Sequence, residues 1–134
     1  MDNLTKEERS VVMSKVRSKD TKPELTIRYI IHKEGYRYRL HKKSLPGKPD
    51  LVFASLGKII NVNGCFWHGH SCKAGRIPKS NVQFWVNKIE ANKARDRKNM
   101  RKLNRLGWSV KTIWECQTKN KSKLTDRLLR FLGP

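Results

Sequence analysis

The chain has 134 residues, with 31 Lys and Arg against 11 Asp and Glu and a net charge of +20. That length makes about one ordinary domain, and so large a positive excess points to a polyanion, nucleic acid foremost, over a basic surface with no partner. No segment approaches the ~20 apolar residues of a transmembrane helix and MDNLTKEERS is no signal peptide, so a membrane role is disfavoured and an intracellular location is expected.

No Gly/Ser-rich or Pro-rich tract divides the chain and no repeat recurs, so residues 1–134 read as a single domain. A first helix is predicted from near Asn3, with Thr5 and Glu8 at capping-box spacing and Val11, Val12, Met13 and Val16 among Lys and Arg. Residues 1–20 look like a basic arm as much as a core element. TKPEL starts a second helix: Thr21 and Glu24 have capping-box spacing, Pro23 is tolerated in a first turn, and Leu25, Tyr29 and Ile30 give an apolar face before Gly35 stops it. From Tyr36 the period becomes two. YRYRL alternates as a half-buried strand, SLPGKP turns, DLVFA reads as a buried strand, SLG turns again and KIINVN is a third strand, so Asp50 opens one strand and Asn63 closes the next. Ser80 and Gln83 are placed to cap a long amphipathic helix from Asn81 to about Leu106, ended by Gly107. WSVKTIWE is a fourth strand and Ser122 to Leu132 a final helix. The expected class is α/β, a mixed central sheet with helices around it.

Between the third strand and the long helix lies NGCFWHGHSC, Asn63 to Cys72, with no helical or strand period. Three cysteines in a reducing compartment argue against a disulfide framework. Cys65, His70 and Cys72 can converge on one ion, and Cys116, directly after the fourth strand, can supply the fourth position of a tetrahedral zinc site; the alternative is buried thiols and a surface histidine. His68 is then left over beside the strand end. A free imidazole is the usual general base, although a solvated loop histidine is the plainer reading. Asp50, at the start of the neighbouring strand, can hold a hard divalent cation, and the pair would suffice to hydrolyse a phosphodiester. The adjacent Phe66 and Trp67 cannot easily both face one core; in so basic a chain they can stack on or wedge between bases. Phe84 and Trp85 repeat the arrangement, with core packing preferred for Phe84.

LPGKPDLVF, NGCFWHGHSC, FWVNKIEANKARDR and LGWSVKTIWEC, in this order and spacing, resemble the very short patch repair (Vsr) endonucleases, DNA mismatch nicking enzymes with a restriction-endonuclease-like fold. The resemblance runs from about the first helix to the last. It implies that Asp50 binds catalytic magnesium with the backbone carbonyl of Val62, that His68 is the general base, and that Glu24 and Asp96 support the active site. It further implies that Cys65, His70, Cys72 and Cys116 hold structural zinc, that Phe66, Trp67 and Trp85 wedge into the duplex, and that Met13 enters from the opposite groove on an arm spanning residues 1–20. The implied reaction is a single-strand nick 5′ to the thymine of a T·G mismatch in double-stranded DNA, by a monomer in the bacterial cytoplasm, at the nucleoid.

One position departs from what the resemblance implies: a member of the family has a second active-site histidine where this chain has Asn63, and in the wider restriction-nuclease fold the same strand carries a second acidic ligand and a lysine. Asn63 can orient a water or phosphate but cannot carry a proton or a positive charge at neutral pH. The expectation is that His68 and the metal sustain activity. Two other functions stay open at this level: a zinc-stabilised DNA binder without catalysis, and a restriction-type nuclease cutting both strands.

Overall fold

The computed structural model describes residues 21–133, so the helix expected near Asn3 and the arm residue Met13 lie outside the described residues. The elements are α1 Lys22–Lys33, β1 Arg39–Leu40, β2 Leu51–Phe53, β3 Lys58–Asn63, α2 Val82–Arg105, β4 Ser109–Trp114 and α3 Lys121–Leu132. Short 3-10 turns occupy Ala54–Leu56, Lys73–Gly75 and Glu115–Thr118. The strands form one sheet in the order β1-β2-β3-β4. The first three are antiparallel neighbours, whereas β3 and β4 run parallel, which the long α2 crossover allows. No helix among the described residues is long and apolar enough to cross a membrane.

Strand periodicity distributes the core over both faces of the sheet. Leu51 pairs with Ile60, and both join Phe53, Ile113 and the apolar faces of α1 (Ile27, Ile30, Ile31) and α3 (Leu124, Leu128, Leu132). Val52 pairs with Ile59, and these pack with Leu103 of α2, flanked by Trp108 and Val110. Helices thus cover both faces. Lys58 Nζ ties the sheet to the end of α3 by donating to the carbonyls of Phe131 (2.6 Å) and Leu132 (3.3 Å), which neutralises carbonyls the helix leaves unpaired.

Two local expectations are corrected. Of YRYRL only Arg39 and Leu40 join the ladder; continued, the register puts Tyr38 opposite Phe53 at the end of β2 and Arg37 opposite Ala54, where the chain coils into the Ala54–Leu56 turn. Tyr36 and Tyr38 still pack on Phe53, at ring-centroid distances of 6.4 and 5.9 Å. At the start of α2 the cap position falls on Asn81, one residue later than Ser80, in the left-handed region (φ 55°) and with no side-chain cap; Gln83 donates instead to Asn87 Oδ1 at 2.8 Å. The Thr21 cap is present, its hydroxyl accepting from the Glu24 N–H at 3.4 Å, and the Glu24 carboxylate is turned to His41 and Arg28.

Candidate functional site

The face of the sheet under α2 changes character along β3. Ile59 is buried among apolar neighbours, but the next residues on that face are Asn61 and Asn63, and Thr112 follows Val110 on β4 in the same sense. Together with Asp96, Asn99 and Met100 of α2 they line a cavity of about 490 Å³, which also takes in Asp50, His68, His41, Lys43 and Lys48. Burial of the hydrophobic core thus stops where the strand turns polar, and a cleft opens there.

Asp50 is anchored by the strand next to it. Its Oδ2 accepts from the Val62 N–H at 2.7 Å, and its own N–H donates to Asn61 Oδ1 at 3.4 Å. Burial pushes the Asp50 carboxyl up to about 7; the Val62 hydrogen bond opposes this and the Glu24 carboxylate adds to it. Glu24, in the first turn of α1, brings a carboxylate oxygen within 4.8 Å of Asp50 and is only 2% exposed. It is ion-paired with Arg28, and its oxygens lie 3.0 and 3.1 Å from His41 Nε2. His41 Nε2 is in turn 4.0 Å from Asp50 Oδ1. His41 adopts a left-handed backbone (φ 45°) and donates its N–H to the Asp50 carbonyl at 3.1 Å. That conformation costs an L-residue roughly 1–2 kcal/mol, and such strain is often retained at functional sites. Glu24, His41 and Asp50 each offer a ligand atom, all within 4.8 Å of one another. Two carboxylates with an imidazole beside them fit a divalent cation.

His68 enters the same cavity from the loop after β3. Its Nδ1 lies 2.6 Å from Asp96 Oδ2 on α2; assigning the proton to Nδ1 leaves the Nε2 lone pair as the acceptor. The loop is tied to α2 a second time by Asn92 Nδ2, which donates to the Trp67 carbonyl at 2.8 Å. Gly69 allows this close approach, since its φ is +65° and a Cβ there would stand 2.7 Å from the Ile89 and Lys93 side chains.

On the other side of the loop, Cys65, His70, Cys72 and Cys116 bring four ligand atoms within 4.8 Å of one another. Cys65 is fully buried, and its sulfur accepts from the Cys116 N–H at 3.3 Å. Burial pushes the Cys65 thiol up to about 12, while the hydrogen bond with His70 holds Cys72 down at about 6. The His70 ring stacks on Trp114 at 4.2 Å and 17°. A Cβ on Gly75 would meet the His70 carbonyl oxygen at 1.9 Å, so only glycine lets the chain close round this group. The four side chains could hold one metal ion.

Phe66 and Trp67 are half-buried neighbours with ring centroids 5.1 Å apart. Trp85 is only 1% exposed and packs edge-on against both, at 5.2 and 5.9 Å; it backs the pair without presenting a face of its own. Phe84, expected in the core, is 42% exposed. The left-handed entry at Asn81 sets the phase of α2 so that Trp85 and Ile89 face inward, and Phe84 lies off that stripe.

Every described residue singled out in the sequence thus falls in one of three adjoining places. Asp50, Val62, Asn63, His68 and Asp96 line the cleft with Glu24 grouped against Asp50, Cys116 meets Cys65, His70 and Cys72 of the loop, and the aromatics form a cluster of their own. His41 and Asn61 were missed. Neither belongs to a recognisable motif, although the alternation of Ile59, Asn61 and Asn63 was a readable sign that one strand face turns polar.

A cleft carrying the half-buried Asp50, with Glu24 grouped against it, and a His–Asp pair in a chain of charge +20 is suited to cutting a phosphodiester. The family model described as DNA mismatch endonuclease Vsr matches residues 1–74. The type II nicking enzyme V.XorIIP of Xanthomonas oryzae pv. oryzae is 47% identical over 133 residues, covering 99% of this chain and 98% of its own. The type II nicking enzyme V.NmeAIP of Neisseria meningitidis serogroup A is 45% identical over 131 residues, covering 98% and 94%. The DNA mismatch endonuclease Vsr of Escherichia coli K12 is 37% identical over 121 residues, covering 90% and 78%. The chain belongs to the Vsr family of DNA endonucleases.

Proposed function

We propose that this chain nicks one strand of double-stranded DNA 5′ to the thymine of a T·G mismatch, starting very short patch repair, by magnesium-assisted hydrolysis on a restriction-endonuclease-like fold. The observation that carries the reading is the convergence of Asp50 and the His68–Asp96 pair on one cavity. The names of the Xanthomonas and Escherichia relatives, a nicking enzyme and a mismatch endonuclease, support a single-strand cut at a mismatch.

Asp50 and the main-chain carbonyl of Val62 would hold magnesium, with Glu24 beside them; the ion supplies charge stabilisation at the phosphate. His68, its Nδ1 proton directed to Asp96, takes a proton from the attacking water at Nε2. Asn63 orients the water or a phosphate oxygen. Cys65, His70, Cys72 and Cys116 hold zinc, a sulfur and nitrogen set that suits it. This fixes the loop carrying both the base and the aromatics, and Phe66 and Trp67, backed by Trp85, wedge beside the mismatch while Met13 enters from the opposite groove. The protein acts as a monomer.

A strand-labelled T·G duplex with magnesium tests the reading. One nicked strand, lost in Asp50→Ala, is expected. Binding without cleavage would instead make the chain a zinc-stabilised DNA binder, and two cut strands a restriction-type nuclease. Nicking by an Asn63→His variant but not by the natural chain would show that His68 and the cation are insufficient.

A further inference from the structure

We infer that His41 is a third side-chain ligand for the cation at Asp50, and that it adapts this cleft to divalent transition ions such as manganese. The inference rests on the reading of Asp50 as a metal ligand and goes beyond it by naming the residue that sets which ion is preferred.

The geometry carries the argument. Asp50 Oδ2 is occupied by the Val62 N–H, which leaves Oδ1 to face inward, 4.0 Å from His41 Nε2. Glu24 Oε1 stands 3.0 Å from the same nitrogen. Around an octahedral ion with bonds of ~2.1 Å, adjacent ligand atoms lie about 3.0 Å apart and opposite ones about 4.2 Å, so the two separations from His41 Nε2 match an adjacent and an opposite corner of one shell. The backbone is committed to this placement: His41 sits in the left-handed region, and its N–H bonds the carbonyl of the residue whose carboxylate it faces. A ring meant only to neutralise Glu24 is redundant there, because Arg28 already pairs with that carboxylate. Magnesium favours oxygen and retained water, whereas first-row transition cations accept imidazole nitrogen. A donor set of two carboxylates and one imidazole therefore raises affinity for the second class more than for the first.

The test uses the zinc-loaded full chain without DNA. Manganese binding is followed by electron paramagnetic resonance, and magnesium by competition, in the natural chain, His41→Gln and Asp50→Ala. Bound manganese should show a nitrogen coupling that disappears in His41→Gln, together with a loss of about tenfold in manganese affinity and little change for magnesium. Asp50→Ala should lose both ions. An unchanged manganese-to-magnesium ratio in His41→Gln, with Asp50→Ala still abolishing binding, overturns the role of His41 and leaves Asp50 standing. Retention of both ions by Asp50→Ala overturns the metal reading and this inference with it. Should His41→Gln fail to retain zinc and fold, His41→Asn replaces it; the nitrogen coupling needs no variant, and its absence in the natural chain overturns the proposal.

Discussion

Asp50 bears a charge that its surroundings oppose. Burial and the neighbouring Glu24 raise its carboxyl from 3.8 to about 7, so between those values the folded chain holds a proton that the unfolded chain has released. Stability from this group is therefore full below 3.8 and is lost as pH rises through about 7. Asp50→Asn removes the titration. Without added magnesium, its melting temperature should exceed that of the natural chain at pH 8 by more than it does at pH 4, and an equal difference at both would contradict the assignment. Asp96 holds the His68 ring through a 2.6 Å hydrogen bond, and in the proposed mechanism it would orient the base. Asp96→Asn should lower kcat by about 10²-fold or more with KM for DNA little changed; a loss confined to KM would move Asp96 from the chemistry to binding. Asp50, His68 and the cysteines stood out in the sequence through their residue types and the family resemblance, although a solvated loop histidine is the plainer reading of His68 taken alone. His41 did not, since it follows a two-residue strand in RLHKKS with no partner near it in sequence, and only the left-handed turn carries it to Glu24 and Asp50.

At the scale of elements, the loop between β3 and α2 depends on contacts far from it along the chain. Cys116, on the turn after β4, touches Cys65 and His70 across some fifty residues of chain, so a metal held there would tie the loop to the sheet. Because structural zinc binding is coupled to folding, Cys116→Ser should lose one equivalent of zinc, measured by elemental analysis, together with its cooperative thermal transition. Retention of one tightly held zinc by a folded variant would remove Cys116 from the ligand set. Strands β2, β3 and β4 and helices α1, α2 and α3 were readable from period and punctuation, KIINVN to the residue. The extent of β1 was not, because strand length depends on the partner, and Ala54–Leu56 coils away where Arg37 would have paired. The start of α2 escaped for a related reason: Asn81 takes a left-handed conformation to redirect the chain, which capping-box spacing does not report.

For the whole molecule the dominant quantity is the net charge of +20. Binding that releases counterions from the phosphate backbone is steeply salt-dependent, and raising salt from roughly 50 to roughly 200 mM should weaken duplex binding by about 10³-fold or more. A change under about tenfold would mean that few of these cations reach phosphates. Charge, residue types and periodicity belong to the chain itself, so the sequence alone pointed to a nucleic-acid partner and determined a mixed α/β sheet with helices around it, the residue types that could hold a metal and the position of the loop. Which groups share a cavity is a property of packing. The strand register set Asp50 against Val62, the entry to α2 buried Trp85 while exposing Phe84, and the meeting of α1 with the end of β1 joined Glu24 to His41. Those contacts join residues from separate elements, and no local pattern encodes them because their distances are fixed only once both faces of the sheet are covered.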